Sequence, residues 1–263
     1  MRIGPFLLFD SALIGASSWA ATHVHVGFAA LGGAAFVALH ASRWFEPRSS
    51  YFVPVTSRVE GPGLALTFDD GPDPAHTPRV LDLLGEAGAR ATFFVIGRHA
   101  EAHPRLVRRM VDEGHAVGIH SYDHPRSFAT MPPGRMRRDL ERCQAIVEAA
   151  SGRRPRLFRP PIGITSPFVA FALLGTDLHV VNWSVRSLDT RARAPEEILA
   201  RVTPGLAPGA IVLLHDGSEP VHPASRDVTV RALPSILAAM RARGIEGRAL
   251  GLSSNDRVAL APG

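Results

Sequence analysis

At 263 residues and 46% hydrophobic content, the chain has the material for a sizeable core, which sets an intrinsically disordered protein aside. The net charge of +5 comes from arginine with no lysine anywhere, and the arginines are scattered rather than gathered into a stripe with interleaved aromatics, so no nucleic-acid partner is expected. The single cysteine, Cys143, excludes an intrachain disulfide; it shares helical spacing with Leu140, Ile146 and Val147 and reads as a packed core thiol.

The first 45 residues hold two apolar stretches, 5–21 and 26–41. Each is short for a bilayer span, which takes about 20 apolar residues. A helical hairpin, one tilted span, an uncleaved signal anchor and a buried soluble helix all fit. The expectation is a membrane anchor over residues 1–45, in a bacterial-type inner membrane. If both stretches span, Arg43, Arg48 and Arg58 hold the following domain on the cytoplasmic side; a single span permits the other side. Residues 46–62, with Pro47, Pro54 and Pro62, read as a linker.

From Gly63 the pattern turns regular. Strand-like runs at 64–68, 91–96, 116–119, 157–158, 178–183 and 210–214 alternate with helical stretches. Thr77-Pro78 opens a helix that Gly88 closes, Pro104 opens one that Gly114 closes, and Ser166-Pro167 opens one that Gly175 closes. This alternation predicts an α/β domain with a mostly parallel sheet over residues 63–252, followed by a tail at 253–263.

The unusual polar residues stand just after those runs, where a parallel barrel gathers its active site. Asp69 and Asp70 leave the first strand in Thr67-Phe68-Asp69-Asp70-Gly71-Pro72. Adjacent carboxylates can divide labour, one binding a cation and the other accepting a proton from water, although an Asp-Gly turn accounts for the fragment equally well. His120 and His124 end the third strand at a spacing that one helical turn would aim at a common ion. His99 and His103 share that spacing but lie in a polar segment and read as solvated surface. Asp70, His120 and His124 form a set that leaves a tetrahedral zinc one open position, as in catalytic sites; cobalt and manganese accept the same donors. His215 ends the last strand, with Asp189 available to orient and charge its ring as a general acid.

Taken together these segments resemble the polysaccharide deacetylase family, carbohydrate esterase family four, over roughly residues 64–252. The TFDDGP segment at 67–72 and the HSxxH segment at 120–124 carry the resemblance, with Arg159-Pro160-Pro161-Ile162-Gly163 and Leu214-His215-Asp216 following in family order. The resemblance implies a distorted parallel β/α barrel that removes N-acyl groups, chiefly acetyl, from amino sugars. It implies Asp69 as the base, Arg159 as the partner that keeps Asp69 ionised, the backbone N–H of Ile162 as an oxyanion donor and His215 as the acid for the leaving amine. The chain departs from the family pattern where Ile162 replaces a tyrosine. It departs again at Arg186-Ser187-Leu188-Asp189-Thr190, where Arg186 stands for an aspartate and Thr190 for an aromatic. Trp183 reads first as a core strand residue and second as a stand-in for that aromatic. The expected substrate is an amino-sugar glycan. The alternatives are a lipid-linked amino sugar, losing acetyl or formyl, and a catalytically dead carbohydrate-binding membrane protein. Oligomeric state is left open.

Overall fold

The computed structural model describes residue 46 and residues 49–221 and 223–261. The expected membrane anchor at 1–45 lies outside the described residues; within them no helix is long and apolar enough to cross a membrane. Eight strands form one sheet: β1 (Val55–Thr56), β2 (Ala65–Asp69), β3 (Ala91–Val95), β4 (Ala116–Ile119), β5 (Leu157–Phe158), β6 (His179–Val181), β7 (Val185–Arg186) and β8 (Ile211–His215). Their order is β1-β6-β5-β4-β3-β2-β8-β7, and every pairing in it is parallel. The helices are α1 (Thr77–Glu86), α2 (Gly97–Ala102), α3 (Pro104–Asp112), α4 (Pro133–Ser151), α5 (Pro167–Leu173), α6 (Pro195–Val202) and α7 (Asp227–Arg241). The result is the parallel sheet that the alternation predicted, in the distorted barrel that the resemblance implied.

Local chemistry explains the helix boundaries. Proline occupies the first turn of α1, α3, α4, α5 and α6, where its missing N–H costs nothing. The Ser166 hydroxyl accepts from the Val169 N–H at 3.2 Å and caps α5. Cys143 is buried on α4, as expected of a core thiol.

The two-residue period of the strands sorts side chains between two faces. On β2, Leu66 and Phe68 pack outward against the helices in the main core, while Ala65, Thr67 and Asp69 alternate onto the inner face. On β8, Val212 and Leu214 point outward, and Ile211 and Leu213 join Ala65, Phe94, Leu157, Val181 and Trp183 in a smaller inner cluster. Gly118 of β4 is glycine because a Cβ there would meet the Phe94 ring and the Leu157 carbonyl at 2.8 Å.

The expected linker and tail both require correction. Phe52 and Val53 are buried, and β1 pairs with β6 as an edge strand, so much of 46–62 belongs to the domain. At the other end β9 (Leu250–Leu252) and β10 (Val258–Leu260) form an antiparallel hairpin. Leu250 joins the inner cluster, Leu252, Val258 and Leu260 pack against it, and the Leu250 N–H donates to the Thr92 hydroxyl at 2.8 Å. The hairpin therefore covers the end of the barrel where the strands begin. Of the predicted strand at 178–183 only β6 forms, and Trp183 lies in the connection to β7 rather than in a strand.

Candidate active site

At the end where the strands finish, register brings the polar residues together. Asp69 and His215 are Cα partners across β2 and β8. Ile119 pairs with Phe158 across β4 and β5, so His120 and Arg159 leave adjacent strands side by side. The cleft above them measures about 490 Å³ and is lined by Asp69, Asp70, His120, His124, Ile162 and His215, with Trp183 and several arginines completing it.

Asp70, His120 and His124 are buried, and one ligand atom from each lies within 4.8 Å of the others. His120 Nδ1 donates to the Arg159 carbonyl at 2.6 Å, which leaves its Nε2 as a bare lone pair. That Nε2 and the Nε2 of His124 each stand 3.6 Å from Asp70 Oδ1, a buried oxygen with no hydrogen-bond partner. Burial pushes both imidazoles down to about 3, so they face the carboxylate neutral. Burial pushes the Asp70 carboxyl up to about 7, against the pull of His215. Lone pairs converging without a proton between them are what a divalent cation would satisfy, so the donor set fits one.

The two histidines do not sit on a helical turn, which corrects the expectation from their spacing. Ser121 and His124 have φ of 64° and 53°, and the segment is a loop tied by the His124 N–H to the Ser121 hydroxyl at 3.0 Å. Left-handed backbone at non-glycine residues is strained, and Asp70, with φ of 70°, is strained too. His99 also departs from its surface reading. It is half-buried on α2, and its Nδ1 donates to the Asp70 carbonyl at 2.9 Å, holding the strained residue in place. His103 makes no such contact with the site.

Asp69 belongs to a second buried network that adjoins the triad, its Oδ2 standing 3.7 Å from His120 Nε2. Arg159, fully buried, donates to Asp69 Oδ1 at 2.6 Å, to the Thr67 hydroxyl at 2.8 Å and to the carbonyls of Val181 and Asn182 at 3.0 and 3.2 Å. Its guanidinium also lies over the Phe94 ring at 4.1 Å. Burial pushes the Asp69 carboxyl up, opposed by the charges of Arg159 and His215, which gives it more proton affinity than an ordinary aspartate.

His215 is held by Asp189 through both its ring and its backbone, at 2.8 Å each. Asp189 also accepts from Ser187 at 2.8 Å and Thr229 at 2.9 Å. Burial alone would lower the His215 pKa, but the charge and hydrogen bond of Asp189, with Asp70 and Asp69 beyond, outweigh it and raise the ring to about 9. The ring is therefore protonated at neutral pH, with Nδ1–H on Asp189 and Nε2 left for the cleft.

Ile162 lies in a tight turn after β5, with φ of 51° and 45% exposure. Next to it, Gly163 leaves room for Trp183, whose ring a Cβ at 163 would strike. Trp183 is buried and forms part of the cleft wall.

A family model described as polysaccharide deacetylase matches residues 56–178. The chain is also 41% identical over 199 residues to a chitooligosaccharide deacetylase of Sinorhizobium fredii, a match covering 74% of this chain and 93% of that protein. The chain belongs to the polysaccharide deacetylase family. It is similar as well to a peptidoglycan-N-acetylglucosamine deacetylase of Bacillus cereus, at 33% identity over 65% of this chain and 61% of the relative. Among solved structures, a family 4 carbohydrate esterase from Streptomyces lividans, crystallised with acetate, superposes with a TM-score of 0.67 at 33% identity, covering 77% of this chain and 99% of that one.

The sequence did not mark Thr229 or the pair formed by Asp216 and Thr77. The Thr77 hydroxyl donates to the buried carboxylate of Asp216 and accepts from the Asp73 N–H at 2.8 Å, which ties the turn after Asp70 to the strand bearing His215. Asp216 stood next to the family's histidine, and that adjacency was the one available signal.

Proposed function

We propose that this chain is a metal-dependent hydrolase that removes the N-acetyl group from an amino-sugar glycan. One observation carries the reading: a cation-binding triad, a buried base paired with arginine and a charged histidine share one cleft on the rim of a family barrel.

Asp70, His120 and His124 would hold the cation, and zinc is the ion expected of this donor set, with cobalt or manganese as substitutes. A divalent cation there supplies Lewis acidity, polarising the acyl oxygen and making water acidic enough to act near neutral pH. Asp69 takes a proton from the attacking water, its raised proton affinity suiting it to that task. Arg159 holds the carboxylate in one orientation with its Oδ1 engaged, so Oδ2 is the oxygen left to act. The Ile162 backbone N–H is the proposed donor to the developing oxyanion; one such donor is worth about 3 kcal/mol of barrier. His215 then gives its proton from Nε2 to the leaving amine, Asp189 stabilising the charged ring beforehand.

A second reading keeps the chemistry and changes the substrate to a lipid-linked amino sugar, losing acetyl or formyl. Ile162, an exposed large apolar residue, lines the cleft, where a membrane-held substrate would arrive. Under this reading residues 1–45 would anchor the chain in a bacterial inner membrane. The intact pair Asp69 and His215 argues against a non-catalytic carbohydrate-binding protein.

The test is mass spectrometry of acetylated chitooligosaccharides, peptidoglycan fragments and lipid-linked amino sugars incubated with metal-loaded wild type and with Asp69→Asn. Loss of acetyl mass with wild type alone is expected on a glycan, and on the lipid-linked sugar under the second reading. Unchanged masses in every arm with metal-loaded wild type would sink the proposal.

A further inference from the structure

Four arginines line the cleft: Arg126, Arg186, Arg191 and Arg226. The carboxylates there are already engaged. Asp69 is held by Arg159, Asp70 belongs to the cation triad, and Glu219 pairs with Arg126 at 3.0 Å. Arg186, Arg191 and Arg226 have no carboxylate partner among the described residues. His215, protonated, adds to the surplus.

Arg226 distinguishes this cluster from ordinary surface arginine. It is only 6% exposed, and its Nε is fixed by the Gly217 carbonyl at 2.5 Å. A guanidinium withdrawn from water without a counter-charge is costly and is normally paired. It lines the cleft together with Asp70 and His215, which places it on the site rather than on the outer surface. Arg186 and Arg191 are exposed at the mouth of the same cleft, on the two sides of the turn that supplies Asp189. Arg186 occupies the very position where the family pattern has an aspartate, so the charge of the mouth is reversed there.

We infer that this cleft recognises an amino sugar carrying an acidic group, a phosphate ester or a carboxylate, close to the N-acyl group. Arg226 receives that group at the inner end, and Arg186 and Arg191 attract and grip it from the mouth. The planar fork of arginine matches both oxyanions with paired N–H donors, and a cleft of one sign concentrates an oppositely charged ligand. This inference rests on the deacylase reading for its choice of sugar, but its test does not require turnover.

Binding to the metal-loaded full chain is measured by calorimetry for three probes: N-acetylglucosamine 1-phosphate, N-acetylmuramic acid and neutral N-acetylglucosamine. At least one acidic sugar is expected to bind about tenfold tighter than the neutral one, an advantage that shrinks as salt is raised. The phosphate and carboxylate arms tell which oxyanion the site prefers. In the doubly substituted R186S/R191S protein, both positions being exposed and compatible with folding, the advantage is expected to fall about fivefold or more, and in Arg226→Gln it is expected to disappear. Equal affinity for all three probes overturns the inference. So does an acidic preference that stays undiminished both in R186S/R191S and in Arg226→Gln, which assigns the anion to the cation instead. If binding shows the expected pattern but no probe or glycan is ever deacylated, the functional proposal fails and the recognition site stands.

Discussion

The inner channel of the barrel is built differently at its two ends. Along β2 and β8 the inward pairs run Ala65 with Ile211, Thr67 with Leu213 and Asp69 with His215, from wholly apolar to wholly ionisable within five residues. Where the strands begin, Leu250 and its hairpin cover the channel with hydrocarbon. Where they finish, five of the six non-glycine residues with positive φ among those described cluster: Asp70, Ser121, His124, Ile162 and Leu188. Each strained residue costs about 1 to 3 kcal/mol. One set of strands thus serves stability at one end and chemistry at the other, and the strain is concentrated at the second, with Asp256 in the hairpin turn as the exception.

That contrast separates the effects of substitutions at each end. The largest effect is expected for Asp69→Asn, which loses the base and should lower kcat by roughly 100- to 10,000-fold, read by acetate release. Arg159→Met leaves the Asp69 carboxylate buried without its counter-charge and should cost about 3 to 5 kcal/mol in urea unfolding. At the apolar end, Leu250→Ala should cost about 3 kcal/mol of stability while kcat of the folded protein stays at the wild-type value. A large drop in kcat there would show that the two ends are coupled after all.

Asp189→Asn gives the smallest of these effects and the most specific. Asp189 is the main agent that raises His215 from 6.5 to about 9 against the lowering by burial. A raised histidine contributes its stability in full below pH 6.5 and loses it as pH rises through about 9. In Asp189→Asn the alkaline limb of kcat/KM should move to lower pH, and the decline in stability across that window should flatten. An unmoved alkaline limb would remove His215 from the role of acid.

Much of the polar rim was legible because short apolar runs announce where each strand ends and which side chains stand at its tip. Asp69, Asp70, His120, His124, Arg159 and His215 all stand at such ends, and the barrel brings all six to one cleft or against it. The residues that escaped depend on contacts far apart in the chain. His99 gains its place by bonding to the Asp70 carbonyl, and Thr229 by reaching Asp189 from α7, neither of which local pattern encodes. The loop at 120–124 was misread as a helical turn because spacing carries no sign of φ, and neither Ser121 nor His124 is glycine. The strands β1 and β7, two residues each, are too short to show alternation, which is why the first was read as linker.

The central claim is that Asp70, His120 and His124 grip one divalent cation. Elemental analysis of the purified full chain, after dialysis against a trace of divalent metal, addresses it without any substrate. About one ion per chain is expected in wild type, lost in His120→Ala and in Asp70→Ala, while Leu250→Ala keeps it. Retention of a full equivalent by His120→Ala and Asp70→Ala, both folded by circular dichroism, would contradict the account.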